Sequence, residues 1–413
     1  MSTGIPDSDN EGAGWSRIRE DFPCTSSQIY LNTGTLGPVP EPVMARYLNY
    51  IHSWNSDGPG DPVIYRAWHE RTERTRKHLA AWLHVDPTTI ALTGNVTDAI
   101  NIGLTGLDLQ PGSRVITTDD EHGAMVAPLG LLTAAGVTVD IVPYGDGGDS
   151  LLDRIAHQLR KPTDLVVLSH VSCDTEAWVD GQKLADLAHT HDALLMLDGA
   201  QAVGQVPVDL ASMGVDLYAL NGHKWLLGPV GTGALYVAPH MAGHVHMHAA
   251  GSDSAWTSDY PRSVAAKWGR DASRFEYATR PWTSVAAWDD ALSYWESVGV
   301  ERALARQRRL ATALRRRLET VPGAHFGSPV NPLTGITAVG MDGWHGSDLS
   351  AALRTYRVVG RPIGRRWVID GVRLSTSFFN NDDDIEAAVQ AFRSIANAGP
   401  EEFSHDEPGG TSP

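Results

Sequence analysis

Two residues of opposite charge, Asp198 and Lys224, open the chemical reading of this chain. The apolar run 194–197 stops on Asp198, and Gly199, Ala200 and Gln201 follow. A second apolar run, 215–220, stops on Asn221, Gly222, His223 and Lys224. Short β-prone runs that end abruptly at polar residues read as buried strands whose carboxyl ends open onto a site. The acid and the amine would then meet at one edge of one sheet. Taken singly, an Asp after a strand is a turn residue or a helix cap, and a lone Lys is a solvated surface charge. The pairing is what points to chemistry.

An amine that can hold a Schiff base, with a carboxylate for a pyridinium nitrogen, is the combination that pyridoxal 5′-phosphate (PLP) requires. The longer stretch DGAQAVGQVPVD, followed by NGHKWLLGPVGTGALYV, resembles the core of the class V aminotransferase family, which includes cysteine desulfurases and isopenicillin N epimerases. The resemblance covers nearly the whole chain from residue 30 to residue 395. It implies Lys224 as the Schiff-base residue, Asp198 on the ring nitrogen and Gln201 on the ring oxygen, with Asn221 and His223 beside them in the cofactor site.

The remaining motifs follow in chain order. Residues 30–32 read as a short strand, and the loop after them, TGTLGPVP, is shaped by Gly and Pro. The resemblance brings this segment, with Asn32, to the substrate. Residues 90–92 read as a strand that passes through Gly94 and Asn95 into a helix beginning near Thr97. Helix N-termini suit phosphate, and the family's cradle at this point implies Val96 and Thr97. After a strand at 114–118, Glu121-His122 matches an EH pair whose histidine stacks on the PLP ring. Residues 165–168 lead into Ser169-His170-Val171-Ser172-Cys173, where the family has HVSN or HVTS. Cys173 thereby inherits a place by the ring oxygen, although a thiol is a weak donor. The stretch RFEYATRPWTS resembles an RFE-x-GT block. It implies that Thr279 reaches the phosphate of a partner subunit's cofactor and that Arg280 lies near the substrate. Gly371 to Ser377, GVRLSTS, resembles an R-x-S block, which makes Arg373 the residue that binds the substrate α-carboxylate in a two-pronged salt bridge.

Around these residues the chain predicts alternating strands and helices, and hence an α/β domain. The resemblance implies the fold type I architecture: a large domain with a mostly parallel mixed sheet, plus a small α+β C-terminal domain. The expected division is a disordered N-terminus at 1–14, a segment at 15–60 packing on both domains, the PLP-binding domain at 61–284, the small domain at 285–397, and a disordered tail at 398–413. Residues 65–83 and 285–318 have helical periodicity. The basic run from 306 to 317 reads as a solvated helix face. His244, His246 and His248 alternate, so an extended chain would aim all three one way. No acid or cysteine lies near them in sequence, and no metal site is expected.

The 413 residues are 42% hydrophobic and 20% charged, with a formal charge of −16. These are the values of a globular protein, and the acidity argues against a nucleic-acid partner. No apolar run approaches a membrane span. Two cysteines, Cys24 and Cys173, form no disulfide framework, and with no signal peptide at the N-terminus the expected compartment is the cytoplasm. The resemblance further implies a homodimer acting at Cα of an amino acid. The segment 358–366, just before Arg373, holds no cysteine, so the desulfurase route through a catalytic thiolate is not expected. First choice is β-elimination of the C–S bond of an S-substituted cysteine. The alternatives are amino-acid epimerisation, decarboxylating deamination and transamination, and, from another class, a PLP-bound amine sensor without turnover.

Overall fold

The computed structural model describes residues 8–256, 262–263, 267–327, 333–366 and 369–400. The chain forms two compact units. The larger holds residues 36–173 and 177–302, and the smaller holds residues up to 35, the three residues 174–176, and everything from 303 onward.

The larger unit is built on seven strands: β1 Ile90–Thr93, β2 Arg114–Thr118, β3 Thr138–Val142, β4 Leu165–Ser169, β5 Leu194–Asp198, β6 Leu217–Asn221 and β7 Gly233–Val237. Their order across the sheet is β1-β7-β6-β5-β4-β2-β3. The pairs β3/β2, β2/β4, β4/β5 and β5/β6 are parallel, while β7 runs against both of its neighbours. Strands covered on both faces must be apolar throughout. Accordingly β1, β2, β4, β6 and β7 are buried at every residue, whereas the edge strand β3 leaves Ile141 exposed.

This topology gathers the sequence motifs. Six strands of one direction end at the same edge, and the carboxyl ends of five of them, β1, β2, β4, β5 and β6, deliver Asn95-Val96, Glu121-His122, Cys173, Asp198-Gln201 and Asn221-Lys224 in turn. The reversed strand β7 begins there, Gly233 pairing with both Asn221 and Thr93. A side chain at Gly233 would strike the backbone of Asn95, so the glycine permits this close approach.

The smaller unit carries an antiparallel sheet in the order β8-β9-β11-β10, made of β8 Ala324–Phe326, β9 Ile336–Met341, β10 Arg361–Arg366 and β11 Ile369–Ser375. Its core joins Val339, Val372 and Leu374 to Leu310 and Leu314 of one helix and to Ile385, Val389 and Phe392 of another, Asp382–Ala398.

Several expectations change. The helical stretch 285–318 is two helices, Trp282–Val298 and Val300–Leu318, broken at Gly299, whose φ of 89° a side chain would resist. The basic run is solvated only in part: Arg308, Arg309 and Arg316 are exposed, whereas Arg306 and Arg315 turn inward. Arg306 donates to the carbonyls of Phe378 and Asn380 and lies over the Trp15 ring, and Arg315 is buried over Phe326. These guanidiniums answer carbonyl groups and aromatic faces of their own unit, which hydrophobic periodicity does not reveal. His244 lies in a turn and His248 in a bend, with His246 in irregular chain between them and Val245 buried between exposed neighbours. At the N-terminus, helix Ser8–Glu20 begins inside the polar stretch and is tied down by Arg19, which pairs with Asp384 at 2.7 Å. Residues 1–7 and 401–413 lie outside the described residues. No described helix is long and apolar enough to cross a membrane.

Candidate active site

Val96, His122, Ser169, Val171, Cys173, Asp198, Ala200, Gln201 and Lys224 line one cavity at the carboxyl edge of the sheet. One amine, one carboxylate, one imidazole and one thiol are thus brought together from five strand ends. Asp198 is 4% exposed and accepts one protein hydrogen bond, from the Ala200 amide at 2.8 Å. Burial raises its pKa, while the Ala200 amide and the Lys224 charge pull it back down.

Neighbouring groups hold these side chains in place. Gln201 accepts at Oε1 from the Trp225 indole at 2.7 Å, and Trp225 is in turn fixed through its carbonyl by Trp295. The tryptophan of the HKW triplet therefore orients the glutamine, a role that sequence reasoning missed. The Gly37 amide donates to the His223 carbonyl at 2.9 Å, and a β-carbon at Gly37 would collide with the Lys224 carbonyl. The loop after residue 32 thus does reach the lysine. His122 caps helix Gly123–Ala134, its Nδ1 accepting from the Ala124 amide. His223 keeps a buried Nδ1 with no hydrogen-bond partner among the described residues, and burial, then the Lys224 charge, lowers its pKa.

A further layer is invisible as a motif. Glu121 is fully enclosed, accepting from Thr118 Oγ1 and from the amide and hydroxyl of Ser169, and burial lifts its pKa to about 7. His170 meets the Tyr218 hydroxyl at 2.9 Å, and burial depresses its pKa to about 4, so it is neutral at physiological pH. The Tyr218 ring packs where a side chain on Gly199 would be.

Of the other expected residues, Thr97, Asn221, Thr279, Arg280 and Arg373 are not in the lining of this cavity, which Val96 joins. Val96 and Asn221 satisfy each other, the amide donating to Asn221 Oδ1 at 2.8 Å. At the same helix, Val96–Gly106, Asn95 caps the Asp98 amide, while Thr97 is exposed, with no hydrogen bond from its amide or hydroxyl to a described residue. Thr279 and Arg280 line a different cavity of the larger unit, about 410 Å³, with Asp98, Asn101, His246 and His248. The Arg280 guanidinium turns to the Leu92 carbonyl and lies 3.6 Å from Glu276. In the smaller unit Arg373 is fully buried on β11 and donates through Nη2 to Thr35 Oγ1 at 2.6 Å and Asn32 Oδ1 at 3.3 Å.

The family model described as Aminotransferase class-V matches residues 29–387. The chain belongs to that family, and with it to the PLP-dependent enzymes of fold type I. It is 24% identical over 404 residues to a probable cysteine desulfurase of Methanothermobacter thermautotrophicus, covering 92% of this chain and 98% of that protein. It is 28% identical over 415 residues to the isopenicillin N epimerase of Amycolatopsis lactamdurans, covering 92% and 98%. Among solved structures it resembles C-DES, described as a cystine C–S lyase in complex with its product cysteine persulfide, with a TM-score of 0.84 and 26% identity over 90% of this chain and 99% of that one. A C-DES mutant with glycine covalently linked to the PLP cofactor gives a TM-score of 0.85, also at 26% identity, over 91% and 98%.

The residues present fit that cofactor. Asp198 is a buried carboxylate with a single protein donor and a burial-raised pKa, an environment that a cationic ring nitrogen would relieve. Lys224 lines the same cavity, and Thr97 leaves a helix N-terminal amide for a phosphate oxygen.

Proposed function

We propose that this enzyme is a C–S lyase that splits S-substituted cysteines by β-elimination, and that it works as a cytoplasmic homodimer. The observation that carries the reading is the similarity to the cystine C–S lyase over nine-tenths of the chain, joined to a β10–β11 region that holds no cysteine. Lys224, Asp198 and His122 are the catalytic residues of this proposal. Val96, Thr97, Cys173, Gln201, Asn221, His223 and Thr279 serve the cofactor, and Arg373, Asn32 and Arg280 serve the substrate.

When bound, PLP supplies the electron sink that lets a bond at Cα break. Arg373 holds the α-carboxylate, and Asn32 and Thr35 fix the direction of its guanidinium. Asp198 would hold a proton on the ring nitrogen. Lys224 Nζ removes the Cα proton. The Cβ–S bond then breaks, and sulfur leaves as a thiolate that takes up a proton. Water completes the balance, giving thiol, pyruvate and ammonia. Thr279, exposed in its own chain, serves the partner's phosphate, and the two free cysteines suit a reducing compartment.

S-methylcysteine in heavy water tests the reading. Pyruvate and methanethiol are expected, and recovery of deuterated, inverted amino acid alone would establish the epimerase instead. Lys224→Ala should lower turnover by roughly a thousandfold and remove the visible absorbance of lysine-bound PLP. Sedimentation of the active enzyme as a monomer would remove the dimer from the proposal.

A further inference from the structure

The sheet of the larger unit splits between two neighbouring strands. The ladders β2/β3 and β4/β5 run to the ends of their strands, at Thr118–Val142 and Ser169–Asp198. Between β2 and β4 the pairing stops at Ile116–Val166, so these two strands part before their carboxyl ends. The chain order reverses at the same place, with β3 on one side and β4, β5 and β6 on the other. A crevice at such a switch point is where parallel α/β sheets take ligands. Glu121 stands in it. From the turn after β2 its buried carboxyl reaches across to β4, accepting from Ser169 Oγ at 2.7 Å and from the Ser169 amide at 3.0 Å, and it also accepts from Thr118 Oγ1 at 2.5 Å. The Tyr144 hydroxyl, from beyond β3, donates to the Ser169 carbonyl at 2.9 Å. Ser169 and His122, the residue next to Glu121, line the cavity with Asp198 and Lys224.

We propose that Glu121 is a positioning residue for the cofactor: from the split between β2 and β4 it fixes Ser169 at the cavity wall, and by gaining or losing its proton it changes the negative charge presented to PLP beside Asp198. The inference rests on the proposed place of PLP in this cavity. Ser169 and Asp198 are Cα partners on adjacent parallel strands, which lie about 4.8 Å apart. Burial raises the Glu121 pKa to about 7, the bonds from Thr118 and Ser169 oppose that rise, and the Asp198 charge adds to it. Such coupling is mutual, so an ionised Glu121 favours a cationic ring beside Asp198. The other titratable groups around Glu121 are Asp120, which accepts from Ser172, His122, neutral His170, and Tyr144, raised by burial and then by the charges of Glu121 and Asp120.

The visible absorbance of lysine-bound PLP, followed from about pH 5 to about pH 9, tests this without turnover. The wild-type spectrum should show an inflection at about pH 7, where Glu121 ionises. Glu121→Gln keeps the shape of the side chain but cannot ionise, and its inflection should vanish. Ser169→Ala removes a hydrogen bond that favours the ionised carboxyl, so there the inflection should move up by roughly one pH unit. That variant stands in if Glu121→Gln does not fold. An inflection that persists in Glu121→Gln belongs to another group and overturns the inference, as does a wild-type spectrum without one or an unmoved inflection in Ser169→Ala. A wild-type protein that takes up no PLP defeats the underlying reading and the inference with it. Failure of the lyase reaction alone leaves the measurement standing.

Discussion

Asp198 and Asp216 are both carboxylates buried in the same sheet, 4% and 1% exposed, and they serve opposite ends of it. Asp216 lies just before β6, at the amino ends of the parallel strands, and its oxygens are filled. It accepts from the Leu195 amide at 2.6 Å and is bonded to His189 at 2.9 Å and His240 at 2.6 Å. Asp198, at the carboxyl end of β5, has among the described residues only the Ala200 amide as donor to its carboxylate and carries a pKa raised by burial. A buried charge saturated by its own chain holds the fold, whereas one left undersatisfied is a place kept for another group. Helix N-termini and polar loops collect at the second edge because every parallel strand must turn there.

Exchanging the roles of these two carboxylates gives the largest expected effect. Asp198→Asn keeps the shape but removes the charge, and activity should drop on the order of a hundredfold. The melting temperature of the cofactor-free protein should hold or rise, since a penalised charge has gone. A stability loss with retained turnover would reverse the comparison. Asp216→Asn should do the opposite, costing about 1–3 kcal/mol of stability in denaturant titration with kcat/KM little changed.

A smaller effect sharpens the contrast through pH. The folded-state pKa of Glu121 is raised from 4.5 to about 7 by burial. Its contribution to stability is therefore complete below pH 4.5 and is lost as pH rises through about 7. Melting temperature should fall between about pH 5 and about pH 8, with a shallower slope in Glu121→Gln. The remaining slope belongs in part to His78, whose pKa is raised first by its bond to Asp289, against the cost of burial, and whose contribution also disappears as pH rises. An identical slope in both proteins would mean that Glu121 is already ionised at low pH.

The central strands and the ends that carry Asp198, His122 and Lys224 were legible in the sequence because buried parallel strands are short, apolar and stop abruptly. The family was legible for a different reason: motifs such as DGAQ and NGHKW are long enough to be specific. By itself the sequence also determined that the segment 358–366, just before Arg373, holds no cysteine. What only the tertiary structure decided depends on partners distant in the chain. Trp225 on Gln201, Ser169 around Glu121, Tyr218 on His170 and Asn221 on Val96 are contacts that no periodicity encodes. The same holds for Arg306 and Arg315 of the basic helix Val300–Leu318, which are claimed by carbonyls and rings far away in the chain while Arg308, Arg309 and Arg316 stay exposed. Strand order is the physical reason. Asp174 meets Arg361, and Arg361 stands beside Arg373, only once β10 has paired with β11, and pairing is a property of the folded sheet.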